Sequence, residues 1–176
     1  PPLESTRTFK PGLISHTPDE EGKINPYPSY SNAAYAVVCE VDIETGKIRL
    51  LDYLACQDSG TVVNPQVLKN QVIGGAICGA GFALYEGIEF DENDGRVLND
   101  GLLDYKLLRT GDFPSDAEVF FVESPDPVGP FGARGAGESP AAAAAPAICQ
   151  AVYNAIGVWV DVPMTPEAVI RALNER

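Results

Sequence analysis

Asn64-Pro65-Gln66-Val67-Leu68-Lys69-Asn70-Gln71-Val72-Ile73-Gly74-Gly75-Ala76-Ile77-Cys78-Gly79-Ala80-Gly81-Phe82-Ala83-Leu84-Tyr85-Glu86-Gly87 is the stretch on which the fold turns. An asparagine able to cap, followed by proline at the first helical position, opens a helix, and Gly87 can close it, so one long helix is predicted over residues 65–86. Gly74, Gly75, Gly79 and Gly81 interrupt it. Each weakens a helix interior by about 1 kcal/mol relative to alanine. Another backbone or a ligand is therefore expected to approach closely there.

Upstream, Ala36-Val37-Val38-Cys39-Glu40-Val41-Asp42-Ile43 is rich in β-formers, Glu44-Thr45-Gly46 reads as a turn, and Lys47-Ile48-Arg49-Leu50-Leu51-Asp52-Tyr53 alternates polar and apolar, which predicts a β-hairpin. Downstream, Ile88-Glu89-Phe90 and Val97-Leu98 flank a turn at residues 91–96 and predict a second hairpin, and Ala117–Val122 predicts a further strand. Ser139-Pro140 repeats the cap-then-proline signal for a helix to Ile156, stopped by Gly157, with Pro146 implying a kink or a delayed start. Thr165-Pro166 opens a last short helix whose Val169, Ile170 and Leu173 form one apolar stripe. The expected class is α+β, mixed sheets of hairpins packed with one long Gly-rich helix and two further helices.

The first 33 residues are proline-rich with little apolar content and no period, which describes an extended arm. Residues 34–176 are expected to form one domain, since 176 residues, 45% of them hydrophobic, make one core and not two. The formal charge of −13 and the absence of a basic run exclude nucleic acid and anionic membrane surfaces as partners. No stretch is expected to reach the roughly 18–20 apolar residues of a spanning helix, and Pro1-Pro2-Leu3-Glu4 reads as no leader, so a cytoplasmic protein is expected. A start at Pro1-Pro2 without Met reads as part of a larger unit. Cys39, Cys56, Cys78 and Cys149 form no C-x-x-C pair, so no metal site is expected from this chain alone and the thiols are expected to be reduced and mostly buried.

Chemistry concentrates in Gly129-Pro130-Phe131-Gly132-Ala133-Arg134-Gly135-Ala136-Gly137-Glu138-Ser139-Pro140. Such a loop can bring bare backbone N–H groups against a ligand. A carboxylate at position 138, held in a close-packed, glycine-lined pocket, is what a general base needs. On composition alone, a glycine-rich turn with an ordinary cap-proximal glutamate stays open. Neither G-x-x-x-x-G-K-[ST] nor G-x-G-x-x-G nor G-x-S-x-G occurs, and the one histidine, His16, lies in the arm, so phosphate-loop, dinucleotide and Ser-His-Asp chemistries are unsupported.

Four blocks in order, Asp58-Ser59-Gly60-Thr61-Val62-Val63-Asn64-Pro65, Asn70-Gln71-Val72-Ile73-Gly74-Gly75-Ala76, Gly79-Ala80-Gly81-Phe82-Ala83-Leu84-Tyr85-Glu86 and Gly132-Ala133-Arg134-Gly135-Ala136-Gly137-Glu138, resemble the C-terminal part of the molybdopterin-binding large subunit of xanthine dehydrogenase/aldehyde oxidase-type molybdenum hydroxylases. The resemblance runs from about Ala34 to Leu173. It implies hydroxylation of a carbon centre with water as oxygen source, and it places the base on Glu138. It also places cofactor contacts on Gln71, Gly74, Gly75, Gly135, Ala136 and Gly137. The implied cofactor is molybdenum-molybdopterin in its cytosine dinucleotide form, with 2Fe–2S clusters and FAD on partner subunits or domains.

The partners so implied are the other segments of the molybdenum subunit, an iron-sulfur subunit and an FAD subunit, in a hetero-oligomer acting on a small molecule. Asp104-Tyr105-Lys106-Leu107-Leu108 with Gly129-Pro130-Phe131-Gly132 leans toward the N-heterocycle members over the aldehyde members. Arg134 reads as a loop or interface charge. Where many members carry glutamine, this chain has Cys78, which is expected to be either a small buried residue or an altered cofactor contact, since a thiol cannot make a paired amide hydrogen bond. The alternative role for the whole chain is a non-catalytic molybdopterin-binding or assembly module.

Overall fold

The computed structural model describes residues 2–9, 12 and 14–176. Three strands, β1 (Asn32–Val41), β2 (Ile48–Asp58) and β3 (Glu118–Phe121), form one sheet in the order β1-β2-β3, and three helices, α1 (Pro65–Leu84), α2 (Ser139–Ile156) and α3 (Pro166–Asn174), accompany it. β1 and β2 are antiparallel, as the predicted hairpin requires, and β3 adds parallel to β2. The α+β class holds.

Sequence alternation in β2 breaks at Leu50-Leu51, and the structure supplies the reason. The register shifts between Val38 and Cys39, so that Asp52 pairs with Val38 while Leu50 pairs with Cys39 and Leu51 is left over. A bulged residue of this kind flips the faces that follow. Ile48 and Leu50 are therefore buried on one side of the bulge, and Tyr53, Ala55 and Gln57 on the other.

Central to the packing is α2, which lies against both α1 and β1. Its partner α1 buries a face of small residues, Val72, Gly75, Ala76, Gly79, Ala80 and Ala83. A Cβ built on Gly75 would lie 2.6 Å from Pro140 Cβ, and one built on Gly79 2.6 Å from Ala144 Cβ and 2.7 Å from Ala141 O. At these two positions the close approach foreseen from the glycines is another backbone. By length and composition α1 could cross a bilayer, contrary to the sequence expectation. Here that apolar content packs against α2. Around the helices, Ile48, Leu50, Leu84, Ile148, Val152 and Val169 form one core cluster, and Tyr53, Ala55, Val72 and Ala117 form a second nearer β3.

Several expectations need correction. Within the predicted arm, residues 2–9 carry no regular structure, Ser15 pairs with Asn25 through backbone hydrogen bonds of 2.8 and 3.1 Å, and Asn32 and Ala33 already belong to β1. Positions 1, 10, 11 and 13 of the arm lie outside the described residues. α1 ends at Leu84 rather than at Glu86, because the N–H groups of Tyr85 and Glu86 both donate to Gly81 O, at 2.9 and 2.8 Å, and turn the chain off the axis. The second hairpin shrinks to a single antiparallel bridge between Phe90 and Val97. Those residues are largely exposed, and a two-stranded ribbon without an apolar face to bury has little to hold it.

α2 begins at Ser139 with Glu138 in the cap position, so Ser139 is inside the helix rather than its cap. No delayed start follows from Pro146, since the helix runs through it to Ile156. Pro146 and Ala142 are both on the exposed side, where the carbonyl freed by the missing N–H can be hydrated. Gly157, at φ 71°, closes α2 with its N–H on Tyr153 O. Of the thiols only Cys149 is buried; Cys39 and Cys56 are half-buried and Cys78 is exposed.

Candidate cofactor site

Beyond β2 the chain runs alongside the glycine-rich loop. Thr61 N–H donates to Gly132 O at 2.8 Å, Arg134 N–H to Ser59 O at 2.7 Å, and Asp126 N–H to the same Gly132 O at 2.8 Å. Gly60, at φ 69°, makes the approach possible, because a Cβ there would collide with Gly132 O. Phe131 is the one non-glycine residue at positive φ among the described residues, 55°, and its side chain points outward.

Arg134 holds this arrangement. Its Nε donates to Asp126 Oδ2 and its Nη1 to Asp58 Oδ2, both at 3.1 Å, and the three side chains are 14%, 4% and 13% exposed. Asp126 Oδ1 also accepts from Gly129 N–H at 2.7 Å and Val128 N–H at 2.8 Å. Those two backbone donors, with the guanidinium, hold the Asp126 carboxyl below the usual carboxylate range. Burial pushes Asp58 up, but the Gly60 N–H, Arg134 and Ser124 outweigh it and its pKa is also lowered. Arg134 is thus a loop charge, as expected, and a clamp between β2 and the loop.

Past the clamp, Gln71 on α1 donates from Nε2 to Gly137 O at 2.6 Å. That bond joins two blocks 66 residues apart. Gln71, Ala136 and Gly137 line one concavity of about 400 Å³, together with Ser59, Thr61, Asn64 and Arg134. A Cβ built on Gly135 or Gly137 would meet nothing within 4 Å, so the loop's bare backbone opens outward here. Ser31 Oγ, at the end of the arm, donates to Gly135 O. The N–H groups of Gly135, Ala136, Gly137 and Glu138 find no acceptor among the described residues.

Other predicted site residues fall differently. Glu138 follows Gly137 directly, but its side chain is exposed and makes no hydrogen bond or ion pair among the described residues. The close-packed, glycine-lined pocket expected around it is not formed among the described residues. Gly74 is exposed on α1 with open space at its Cβ position, whereas Gly75 is buried under Pro140. Gly75 therefore packs α1 against α2. Cys78 is exposed, not the small buried residue that was one of its two readings, and it lies one turn beyond Gly74 and two beyond Gln71, on their side of the helix.

Residues 105–108 line a separate cavity of about 470 Å³ with Tyr85 and Asp112, and none of residues 129–132 takes part in it. The two segments read together for substrate preference thus do not share a wall. Sequence reasoning missed the acidic halves of the clamp, Asp58 and Asp126, and the hydroxyl-bearing Ser59 and Thr61. Asp58-Ser59-Gly60-Thr61 stands out in the sequence only as a block, and nothing local marks Asp126 as a partner of a cation 8 residues on.

A family model for the molybdopterin cofactor-binding domain matches residues 1–114. Probable hypoxanthine oxidase XdhD of Escherichia coli K12 is 35% identical over 153 residues, 86% of this chain and 16% of that protein. The nicotine 6-hydroxylase large subunit of Paenarthrobacter nicotinovorans is 32% identical over 149 residues, 82% of this chain and 18% of that protein. The crystal structure of quinoline 2-oxidoreductase from Pseudomonas putida 86 superposes with a TM-score of 0.78 at 33% identity, covering 83% of this chain and 19% of that one. The chain spans less than a fifth of the length of each of these three. From the family match and these relatives, the chain belongs to the molybdopterin cofactor-binding domain family of the xanthine dehydrogenase/aldehyde oxidase-type molybdenum hydroxylases.

Proposed function

We propose that this chain supplies the base and part of the cofactor cradle of an oxidoreductase that hydroxylates a carbon centre of a small molecule, an N-heterocycle or an aldehyde, with water as oxygen source. The observation that carries it is the 2.6 Å hydrogen bond from Gln71 to Gly137 O, which brings α1 onto the loop one residue before Glu138 and leaves that carboxylate unpaired.

The residues present fit a pterin cofactor. An acceptor-rich ring system and its phosphate need donors, and four successive backbone N–H groups, 135–138, are unpaired at the start of an 18-residue helix. Gln71 keeps Oε1 free to accept while its Nε2 is engaged. The open space at Gly135, Gly137 and Gly74 lets a ligand reach main chain that a side chain would cover. We assign the cradle to Gln71, Gly74, Gly135, Ala136 and Gly137. When bound, the cofactor supplies two-electron redox chemistry at its molybdenum.

Glu138 takes up, on its carboxylate, the proton that water loses as its oxygen bonds to the substrate carbon; the hydrogen on that carbon leaves with the two electrons of its C–H bond, which pass to the bound cofactor. Its exposure in this chain fits a site whose remaining wall comes from other segments of the subunit. Arg134 cannot serve the cofactor's phosphate as a free cation, because Asp58 and Asp126 already neutralise it. We further assign the cytosine dinucleotide form of the cofactor, 2Fe–2S and FAD centres on partner subunits, and a cytoplasmic hetero-oligomer. The residues ahead of β1 would then be an arm laid on neighbouring surfaces, and the chain from Asn32 onward the cofactor-binding domain.

Replacing Glu138 by Gln in the assembled complex tests the reading. Molybdenum and pterin content should stay at the wild-type level while turnover falls about 100-fold or more. Undiminished turnover would overturn the base and favour a non-catalytic cofactor-holding or assembly module.

A further inference from the structure

We infer that Gln57 is a positioning residue, which sets the loop that ends in Glu138 through a buried polar relay. Gln57 stands on β2 in the inward register of Tyr53 and Ala55, and it is fully buried. A carboxamide in that position is out of keeping with its apolar neighbours, and burying it is costly unless its polar atoms are bonded. They are bonded in three directions. Oε1 accepts from Tyr35 Oη at 3.3 Å, and Nε2 donates to Ser59 Oγ at 3.3 Å and to Ser139 Oγ at 3.4 Å.

The last two contacts fall at the two ends of one loop. Ser59 O receives Arg134 N–H at 2.7 Å, where the loop leaves the clamp, and Ser139 is the residue after Glu138. One amide thus fixes both the entry and the exit of residues 134–139. Ser139 has no capping work to do, since it lies inside α2. On the other side, burial pushes the Tyr35 phenol up to about 12, so it stays a donor at every working pH and Gln57 keeps one orientation. Gln57 and Ser139 touch no reacting atom; they act through Glu138.

This inference rests on Glu138 being the base, and the experiment separates the two. In the assembled complex, Ser139→Ala removes only the exit contact, Ser139→Thr restores a hydroxyl, and Gln57→Leu removes the whole relay. Ser139→Ala should lower kcat about tenfold with KM and molybdenum content unchanged, and Ser139→Thr should recover it. The Gln57→Leu/Ser139→Ala double variant should be no slower than Gln57→Leu alone, because the two act on one loop. Amide hydrogen exchange over 134–142 should speed up at least fivefold in Ser139→Ala and in Gln57→Leu but not in Ser139→Thr, with the rest of the chain unmoved in Ser139→Ala. Unchanged exchange over 134–142 overturns the relay whatever Glu138 does. Faster exchange with kcat untouched shows a loop brace that does not position the base, and that also overturns the inference. Full activity in Glu138→Gln would instead remove the base while the exchange result stood.

Discussion

In α1, Gly75 and Gly79 are buried under α2, whereas in the loop ahead of α2, Gly135 and Gly137 face open space on every side where a Cβ would go. The same residue type therefore serves two purposes 60 residues apart. In the helix, the missing side chains let two backbones of this chain meet. In the loop they leave main chain bare, with N–H groups unpaired, so whatever uses them comes from outside the described residues. A glycine in sequence announces a close approach without saying who approaches. What separates the two cases is the neighbour across the gap: Pro140 and Ala144 for α1, none for the loop.

A loop with so little packing of its own must be anchored elsewhere, and the Asp58–Arg134–Asp126 clamp does it. Replacing Arg134 by Met leaves Asp126 buried and Asp58 half-buried without their cation. Removing one partner of a buried pair is far more damaging than removing both. The melting temperature of the assembled subunit should drop by roughly 10 °C. A drop of under 2 °C in thermal unfolding would show that the loop is held by its backbone bonds to Ser59 and Thr61 alone.

Next in size is the helix interface. Gly79→Ala puts a methyl 2.6 Å from Ala144 Cβ and 2.7 Å from Ala141 O, and neither neighbour is the end of a flexible side chain. Overpacking of this kind costs about 1–3 kcal/mol. Gly135→Ala, with nothing in reach, should leave stability within about 0.5 kcal/mol. Denaturant midpoints of the two variants, measured side by side, check the contrast, and equal losses would erase the distinction between the two glycine sets.

Much of this was legible in the residues. Asn64-Pro65, Ser139-Pro140 and Thr165-Pro166 mark three helix starts because the proline's pre-set φ acts locally, joined by a capping side chain at Asn64 and Thr165 though not at Ser139. Helix stops and weak hairpins were harder. Gly87 looked like a terminator, but Tyr85 and Glu86 had already folded back on Gly81. Ile88–Leu98 had strand-like residues and a good turn, yet it forms one isolated bridge and joins no sheet. The site divides the same way. Gln71 and the 135–138 loop carried recognisable motifs, while the clamp and the relay depend on contacts spanning 76 and 82 residues. A polar residue in an inward register, Gln57 after Tyr53 and Ala55, was the one local sign of the latter.

The clamp also makes acid a probe. Both of its carboxyls titrate below the ordinary range, Asp126 because Gly129 and Val128 N–H groups bond its charged form, and Asp58 because Gly60 and Arg134 outweigh its burial. A carboxylate depressed in the native state adds stability that is fully present above its unfolded value, near 3.9, and is lost as pH falls through the lower folded value. Thermal unfolding between pH 5 and pH 2 should therefore show a steep loss below about pH 4. Asp126→Asn should start less stable and lose less over the same range. Parallel curves for the two proteins would mean that other carboxyls govern the acid transition.

The smallest effect sits at the boundary between the two glycine sets. Gly74 is exposed on α1 with no atom within 4 Å of a built Cβ, and its neighbour Gly75 is covered by Pro140. Gly74→Ala removes backbone freedom from the unfolded chain and adds no clash, so it should stabilise by up to about 1 kcal/mol. Gly75→Ala, whose methyl would lie 2.6 Å from Pro140 Cβ, should do the reverse. Pterin content then sharpens the reading. If the Gly74 face is where cofactor meets α1, alongside Gln71, the Gly74→Ala complex should be more stable without cofactor yet hold less of it. A gain in stability with undiminished pterin would place the cofactor's edge elsewhere on the loop, with α1 serving only to brace Gly137.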